Sequence, residues 1–175
     1  MSLCLVLVDW ENVSKQITEG RYTPERFSRS TAIVKLFEWI KSEVDEIFDT
    51  FLFAPLHIVY TDYQLFHDHG LSVTTCPKIP LASPDKKDTV DPTLIKRAEK
   101  WVTHPDLTHI CLVSGDSDFI PLLEKAKKRG LLIMISAIDS SLLNRPSLSK
   151  DLAEMADISP RTGQTMIHYF SPIII

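Results

Sequence analysis

The stretch that most constrains this chain is Ser114-Gly115-Asp116-Ser117-Asp118-Phe119, because it joins an apolar run to a helical one and sets two carboxylates at the junction. The run before it, Ile110-Cys111-Leu112-Val113, has no polar alternation and a β-branched residue at each end. That is the pattern of a strand buried on both faces of a parallel sheet. Helix signals follow: Pro121 in a first turn, Leu122, Leu123 and Ala126 on one side, Lys127, Lys128 and Arg129 near the end, and Gly130 beyond it. Open parallel sheets bind ligands beyond the carboxyl ends of their strands, which is where Asp116 and Asp118 fall. The structural alternative makes Asp118 or Ser117 only an N-cap, with Gly115 easing a turn. Two acids flanking one serine repel each other unless a cation or protons intervene, and that cost favours a site over a cap.

A second wholly apolar run, Leu3 to Val8, also ends in an acid, Asp9, followed by Trp10-Glu11-Asn12. The polar region from Ser14 to Ser30 reads as a loop or short helical turn over the site. From Thr31 to Phe48 apolar residues recur at helical spacing and predict one long amphipathic helix. Thr50 to Ala54 reads as a strand stopped by Pro55, Leu56 to His69 as a helix ended by Gly70, and Leu71 to Cys76 as a strand. His67-Asp68-His69 is read as a solvated helix end, not a metal site, since adjacent helix positions do not face one another. Pro77 to Lys87 is a proline-rich loop. Asp91 and Pro92 then suit the N-cap and first position of a helix that buries Leu94, Ile95, Ala98, Trp101 and Val102. Leu131 to Ile135 forms another buried strand, Ser149 to Ala156 a short helix capped by Ser149, and the tail from Met166 to Ile175 an edge strand. Alternating strands and helices predict an α/β fold, a three-layer sandwich with a mainly parallel central sheet.

At 175 residues and 44% hydrophobic content, the chain fits one domain spanning 1–175. A net charge of −4 excludes a protein that coats nucleic acid by bulk electrostatics, although a local basic patch is allowed. Three scattered cysteines, Cys4, Cys76 and Cys111, form no CxxC pair and fit a reducing, cytoplasmic setting. No apolar run is long enough to span a membrane, and no secretory leader is evident, so no membrane partner is expected.

If the strands bearing Asp9 and Asp116 are neighbours, Asp9, Asn12, Asp116 and Asp118 converge, with the helix at Asp91 beside them. Oxygen ligands without cysteine or histidine suit a hard cation, Mg²⁺ or Mn²⁺, completed by phosphate oxygens. Such an ion activates water and neutralises charge on a phosphodiester. A haloacid-dehalogenase-type phosphatase wants an Asp two residues after its first-strand nucleophile, where this chain has Glu11, and no Walker-type phosphate loop is present.

The blocks Val8-Asp9-Trp10-Glu11-Asn12, Lys87-Asp88-Thr89-Val90-Asp91-Pro92-Thr93-Leu94 and Val113-Ser114-Gly115-Asp116-Ser117-Asp118-Phe119-Ile120-Pro121-Leu122, with Gly130, resemble the NYN domain of the LabA-like proteins, in the PIN-like nuclease superfamily. Leu148-Ser149-Lys150-Asp151-Leu152 and Ala156-Asp157 resemble that family's closing segment. The resemblance implies a metal-dependent ribonuclease that hydrolyses RNA phosphodiesters. By position it implies Asp9, Asp91, Asp116 and Asp118 as metal site and catalytic residues, with Asn12 and Ser114 orienting metal waters or phosphate. Many relatives carry a further Asp two turns into the helix after the second block, where this chain has Arg97. Either Asp88 substitutes as a ligand, or the site binds metal more weakly and Arg97 attracts phosphate instead. Lys86 and Lys87 are candidates to stabilise the leaving oxygen, with a solvated loop as the plain alternative. The expected partner is RNA, single-stranded or structured, with a homodimer left open. The competing readings are a catalytically weak module that binds RNA or a protein, and a small-molecule phosphatase.

Overall fold

The computed structural model describes residues 1–19, 29–77, 79–80, 86–87, 90–139 and 146–170. In chain order the elements are β1 (Leu3–Asp9), α1 (Trp10–Glu19), α2 (Arg29–Glu43), β2 (Glu46–Pro55), α3 (Leu56–Asp68) and β3 (Ser72–Cys76). Then come β4 (Ile79–Pro80), β5 (Lys86–Lys87), α4 (Val90–Trp101), β6 (His109–Val113), a 3₁₀ turn (Ser117–Phe119), α5 (Ile120–Lys128), β7 (Leu132–Ile138), α6 (Lys150–Ala153) and β8 (Ile167–Phe170). Six strands form one sheet in the order β3-β2-β1-β6-β7-β8, and every pairing in it is parallel. β4 and β5 make a separate two-residue antiparallel ribbon.

Strand periodicity divides the core in two. Leu5, Leu7, Ile110, Leu112, Ile133 and Ile135 point to the face covered by α4, α5 and α6, which contribute Leu94, Ala98, Leu122, Leu123 and Leu152. Their alternates Cys4, Val6, Val8, Cys111, Val113 and Met134 point to the face covered by α1, α2 and α3, with Trp10, Val13, Ile33, Ile40 and Phe66. Since alternate residues of a strand face opposite sides, a sheet with helices on both faces needs runs that are apolar without interruption. The layered α/β architecture expected from the sequence is therefore present. Strand order reverses between β1 and β6, so the carboxyl ends of these two strands form the topological switch point of the sheet.

Several boundaries differ from expectation. Of the region read as a loop or short helical turn, residues 14–19 continue α1, because Trp10, Val13 and Ile17 share one buried face and their spacing outweighs the polar residues between them, residues 29–30 open α2, and residues 20–28 lie outside the described ones. The expected helix from Thr31 to Phe48 stops at Glu43, and Glu46 to Phe48 open β2 by pairing beside Leu3 and Cys4 of β1. Here tertiary pairing overrides the helical spacing of Ile47 and Phe48. Asp91 lies in the first turn of α4 instead of capping it. Ser149 does cap α6, its Oγ accepting the Leu152 N–H at 3.2 Å. β8 is the expected edge strand, while the expected residues beyond Phe170 lie outside the described ones. The segment His67-Asp68 is an exposed helix end, as read from the sequence. Among the described residues no helix is long and apolar enough to cross a membrane.

Candidate metal centre

The parallel register sets Val8 of β1 beside Val113 of β6, so the next residues, Asp9 and Ser114, meet at the carboxyl edge. Both are buried, at 2% and 0% exposure. The Ser114 hydroxyl donates to Asp9 Oδ2 at 3.0 Å and accepts from the Asp116 N–H at 3.2 Å. The other oxygen of Asp9, Oδ1, accepts the Asn12 N–H at 3.1 Å and so caps the first turn of α1. Asn12 in turn accepts the Gly115 N–H on its Oδ1 at 3.1 Å. These bonds sew the turn after β6 to the start of α1. They also position the next carboxylate, since Asp116 Oδ1 accepts the Asp118 N–H at 2.9 Å and caps the 3₁₀ turn.

Gly115 is needed for packing. A Cβ built there would lie 1.6 Å from the carbonyl oxygen of Ser147, a separation no side chain tolerates. The Gly115 carbonyl also accepts the Ser149 N–H at 3.1 Å, so the segment before α6 lies directly against this turn.

Asp91, at the start of α4, completes the site. One carboxylate oxygen from each of Asp91, Asp116 and Asp118 falls within 4.8 Å of the others. A single hard cation bridges such a span, since its bonds to oxygen run about 2.0–2.6 Å each. The donor set is all oxygen and all anionic, which fits Mg²⁺ or Mn²⁺ and does not suit a thiophilic metal. Asp116 is half-buried and Asp118 exposed, and neither forms an ion pair with a basic side chain among the described residues.

The other expected site residues are placed as follows. Asp9 is not in the three-carboxylate group; it stands behind it, bonded to Ser114 and Asn12. The cap foreseen at Asp118 or Ser117 is Asp116 itself. Lys86 and Lys87 form β5, and Asp88 lies outside the described residues. Arg97 is not at the carboxylates: it is exposed, with its guanidinium 5.3 Å from the centroid of the Phe51 ring. Six residues along a helix from Asp91 mean a rise of about 9 Å and a rotation of about 240°, so the two side chains leave α4 in different directions. Gln16, Ser147 and Lys150 border the site and were missed by sequence reasoning. The one available signal was the spacing of Gln16, four residues after Asn12 on α1.

A groove of about 590 Å³ lies elsewhere, lined by Phe37, Lys41, Ile47, Asp49 and Leu71 among others, and holds none of the three carboxylates. A cleft of about 450 Å³ adjoins the triad at Asp116. Compared with known proteins, residues 4–159 match the sequence model of one family, the NYN domain. Nothing among the curated proteins and nothing among the solved structures matches the chain.

Proposed function

The chain belongs to the NYN domain family, a family of nuclease-type fold, and from that premise we propose that it is a metal-dependent ribonuclease that hydrolyses RNA phosphodiester bonds. The observation that carries this reading is the meeting of Asp91, Asp116 and Asp118 at the switch point of the sheet, two of them without a basic partner among the described residues. Mg²⁺ or Mn²⁺ would be held by these three residues, and when bound it supplies charge neutralisation at the phosphodiester and an activated water.

The chain's own contribution is positional. Ser114 and Asp9 hold the Asp116 backbone, Asn12 holds Gly115, and Asp116 holds the Asp118 N–H, so two of the ligands sit on a turn fixed by five hydrogen bonds. Asp9 acts as a positioning residue for the triad. Lys86 and Lys87 remain candidates for contact with the leaving group, and the three buried cysteines, scattered along the chain, fit a reducing setting such as the cytoplasm.

The test is a panel of end-labelled RNA and DNA oligonucleotides incubated with Mg²⁺, Mn²⁺ or EDTA. RNA cleaved with metal and spared in EDTA supports the reading. RNA that binds and survives under all three conditions replaces it with a binding module, and turnover of aryl phosphate alone replaces it with a phosphatase.

A further inference from the structure

We propose that the cleft beside the carboxylate triad takes the base of a nucleotide next to the scissile phosphate, and that Asn12 and Gln16 read its edge. This rests on the ribonuclease reading for the presence of an RNA strand at the site. The cleft holds about 450 Å³, within the range of small-molecule sites, and is lined by Asn12, Gln16, Asp116, Ser117, Ser149 and Lys150 among others.

Asn12 and Gln16 stand four residues apart on α1 and so share a helix face, with Cβ atoms about 5–6 Å apart. One backbone bond fixes each amide. Asn12 Oδ1 accepts from Gly115 N–H at 3.1 Å, which assigns its Nδ2 to the other side. Gln16 Nε2 donates to the Ser147 carbonyl at 2.9 Å, which leaves Oε1 as the remaining group. Gln16 is 5% exposed, and its Oε1 is buried with no hydrogen-bond partner among the described residues. A buried acceptor without a donor carries an uncompensated desolvation cost, which a ligand donor would remove. Among the described residues the two amides therefore leave one donor, Asn12 Nδ2–H, and one acceptor, Gln16 Oε1, without a partner beside the cleft, and Oε1, closed to water in the free protein, is reached by a base only as the cleft opens around it.

That pair selects among the parts of a nucleotide. Each base has an edge on which a donor lies next to an acceptor, such as the N6 amino group and N7 of adenine or the N4 amino group and N3 of cytosine. A phosphate has only acceptors; it would satisfy Asn12, leave Gln16 facing an anion and meet the Asp116 carboxylate at the rim. Bases splayed from single-stranded RNA are recognised through such edges. Lys150, exposed and lining the cleft, supplies the cation for the phosphate on the sugar of that nucleotide.

The experiment measures binding of the four nucleoside 5′-monophosphates, their 2′-deoxy forms and ribose 5-phosphate to the full chain in EDTA, following the Asn12 side-chain NH₂ signals by NMR. At least one nucleotide binds about tenfold more tightly than ribose 5-phosphate, its deoxy form binds equally, and the Asn12 signals shift. Gln16→Leu, at an unchanged melting temperature, reduces that nucleotide to the level of ribose 5-phosphate. Equal binding of all probes overturns the proposal, as does a loss confined to the deoxy forms, which would mean that the sugar hydroxyl is read. Should Gln16→Leu fail to fold, the comparison within the parent protein still decides. Base-selective binding with no RNA cleavage in Mn²⁺ keeps this proposal and removes the ribonuclease reading; cleavage without base-selective binding does the reverse.

Discussion

The two ends of the same sheet treat their carboxylates in opposite ways. At the amino end, Asp45 accepts the Ser2 backbone N–H at 2.7 Å and the Ser2 hydroxyl at 3.0 Å and is paired with Arg161; the Ser2 bonds, together with that guanidinium, hold its carboxyl down to about 2. Glu43 accepts from the Ser159 hydroxyl, and Asp157 takes the Ile133 N–H at 2.8 Å and lies 3.3 Å from Lys127. At the carboxyl end, Asp91, Asp116 and Asp118 converge, and neither Asp116 nor Asp118 has a cationic side chain beside it among the described residues. Acids that fold a protein are found with their donors. Acids that repel each other across a few ångströms await a charge from outside.

The sharpest way to break that comparison is Asp116→Asn. It keeps the oxygen that caps the Asp118 N–H while removing a ligand and a repulsive charge. RNA cleavage in Mn²⁺ should fall by on the order of a hundredfold or more, since even outer-shell changes at metal sites cost about 10–100-fold. The melting temperature of the metal-free protein should hold or rise, and the increase on adding Mn²⁺ should vanish. A drop of several degrees without metal, with the Mn²⁺ response intact, would make Asp116 a structural cap like the acids at the other end.

The converse change is Glu43→Ala at the amino end. It leaves the buried Ser159 O–H without its acceptor, although the oxygen still accepts from the Arg161 and Thr162 N–H groups, and should lower unfolding free energy by roughly 1–3 kcal/mol in a denaturant titration. Metal-induced stabilisation should be unaffected. If the Mn²⁺ response disappears while stability is kept, the division between the two ends is wrong.

A smaller effect comes from His109, at the start of β6 in the same amino-end network. Burial, aided by the nearby Arg161, lowers its pKa, and its Nε2 is buried without a hydrogen-bond partner among the described residues. The unfolded chain, with an ordinary histidine pKa of about 6.5, takes up the proton first as pH falls. The contribution is therefore complete above about pH 6.5 and lost as pH drops from there toward the depressed folded value. Melting temperature should decline over that window, and His109→Gln should flatten the decline. Asp45 adds its own loss only later, between about pH 4 and 2, as its carboxyl protonates. A parent protein whose melting temperature is flat from pH 7 to 5 would contradict the assignment.

The smallest expected effect is at Arg97. Placed over Phe51 and turned away from Asp91, it should be inert toward the metal, so Arg97→Asp should leave Mn²⁺ affinity within about twofold by calorimetry. A clear tightening would show that this position reaches the carboxylates after all.

The sequence by itself determined the layers and the edge at which the site would lie. Uninterrupted apolar runs such as Leu3–Val8 and Ile110–Val113 must be buried on both faces, and a strand that ends in an acid puts that acid at the carboxyl rim. Local signals also sufficed for the Ser149 cap and for the helix after Phe119, because caps and turns depend on neighbours within a few residues. Tertiary structure alone decided which carboxylates meet. The parallel register placed Ser114 against Asp9 and tied up both of its oxygens, while the packing of α4 against the same edge brought in Asp91. It also ended α2 at Glu43 so that Glu46 could pair beside β1, turned Arg97 away from the site, and gave Gln16 a partner 131 positions along the chain. Spacing in a sequence reports faces of single helices and strands; distances between elements are fixed only when those faces are packed together.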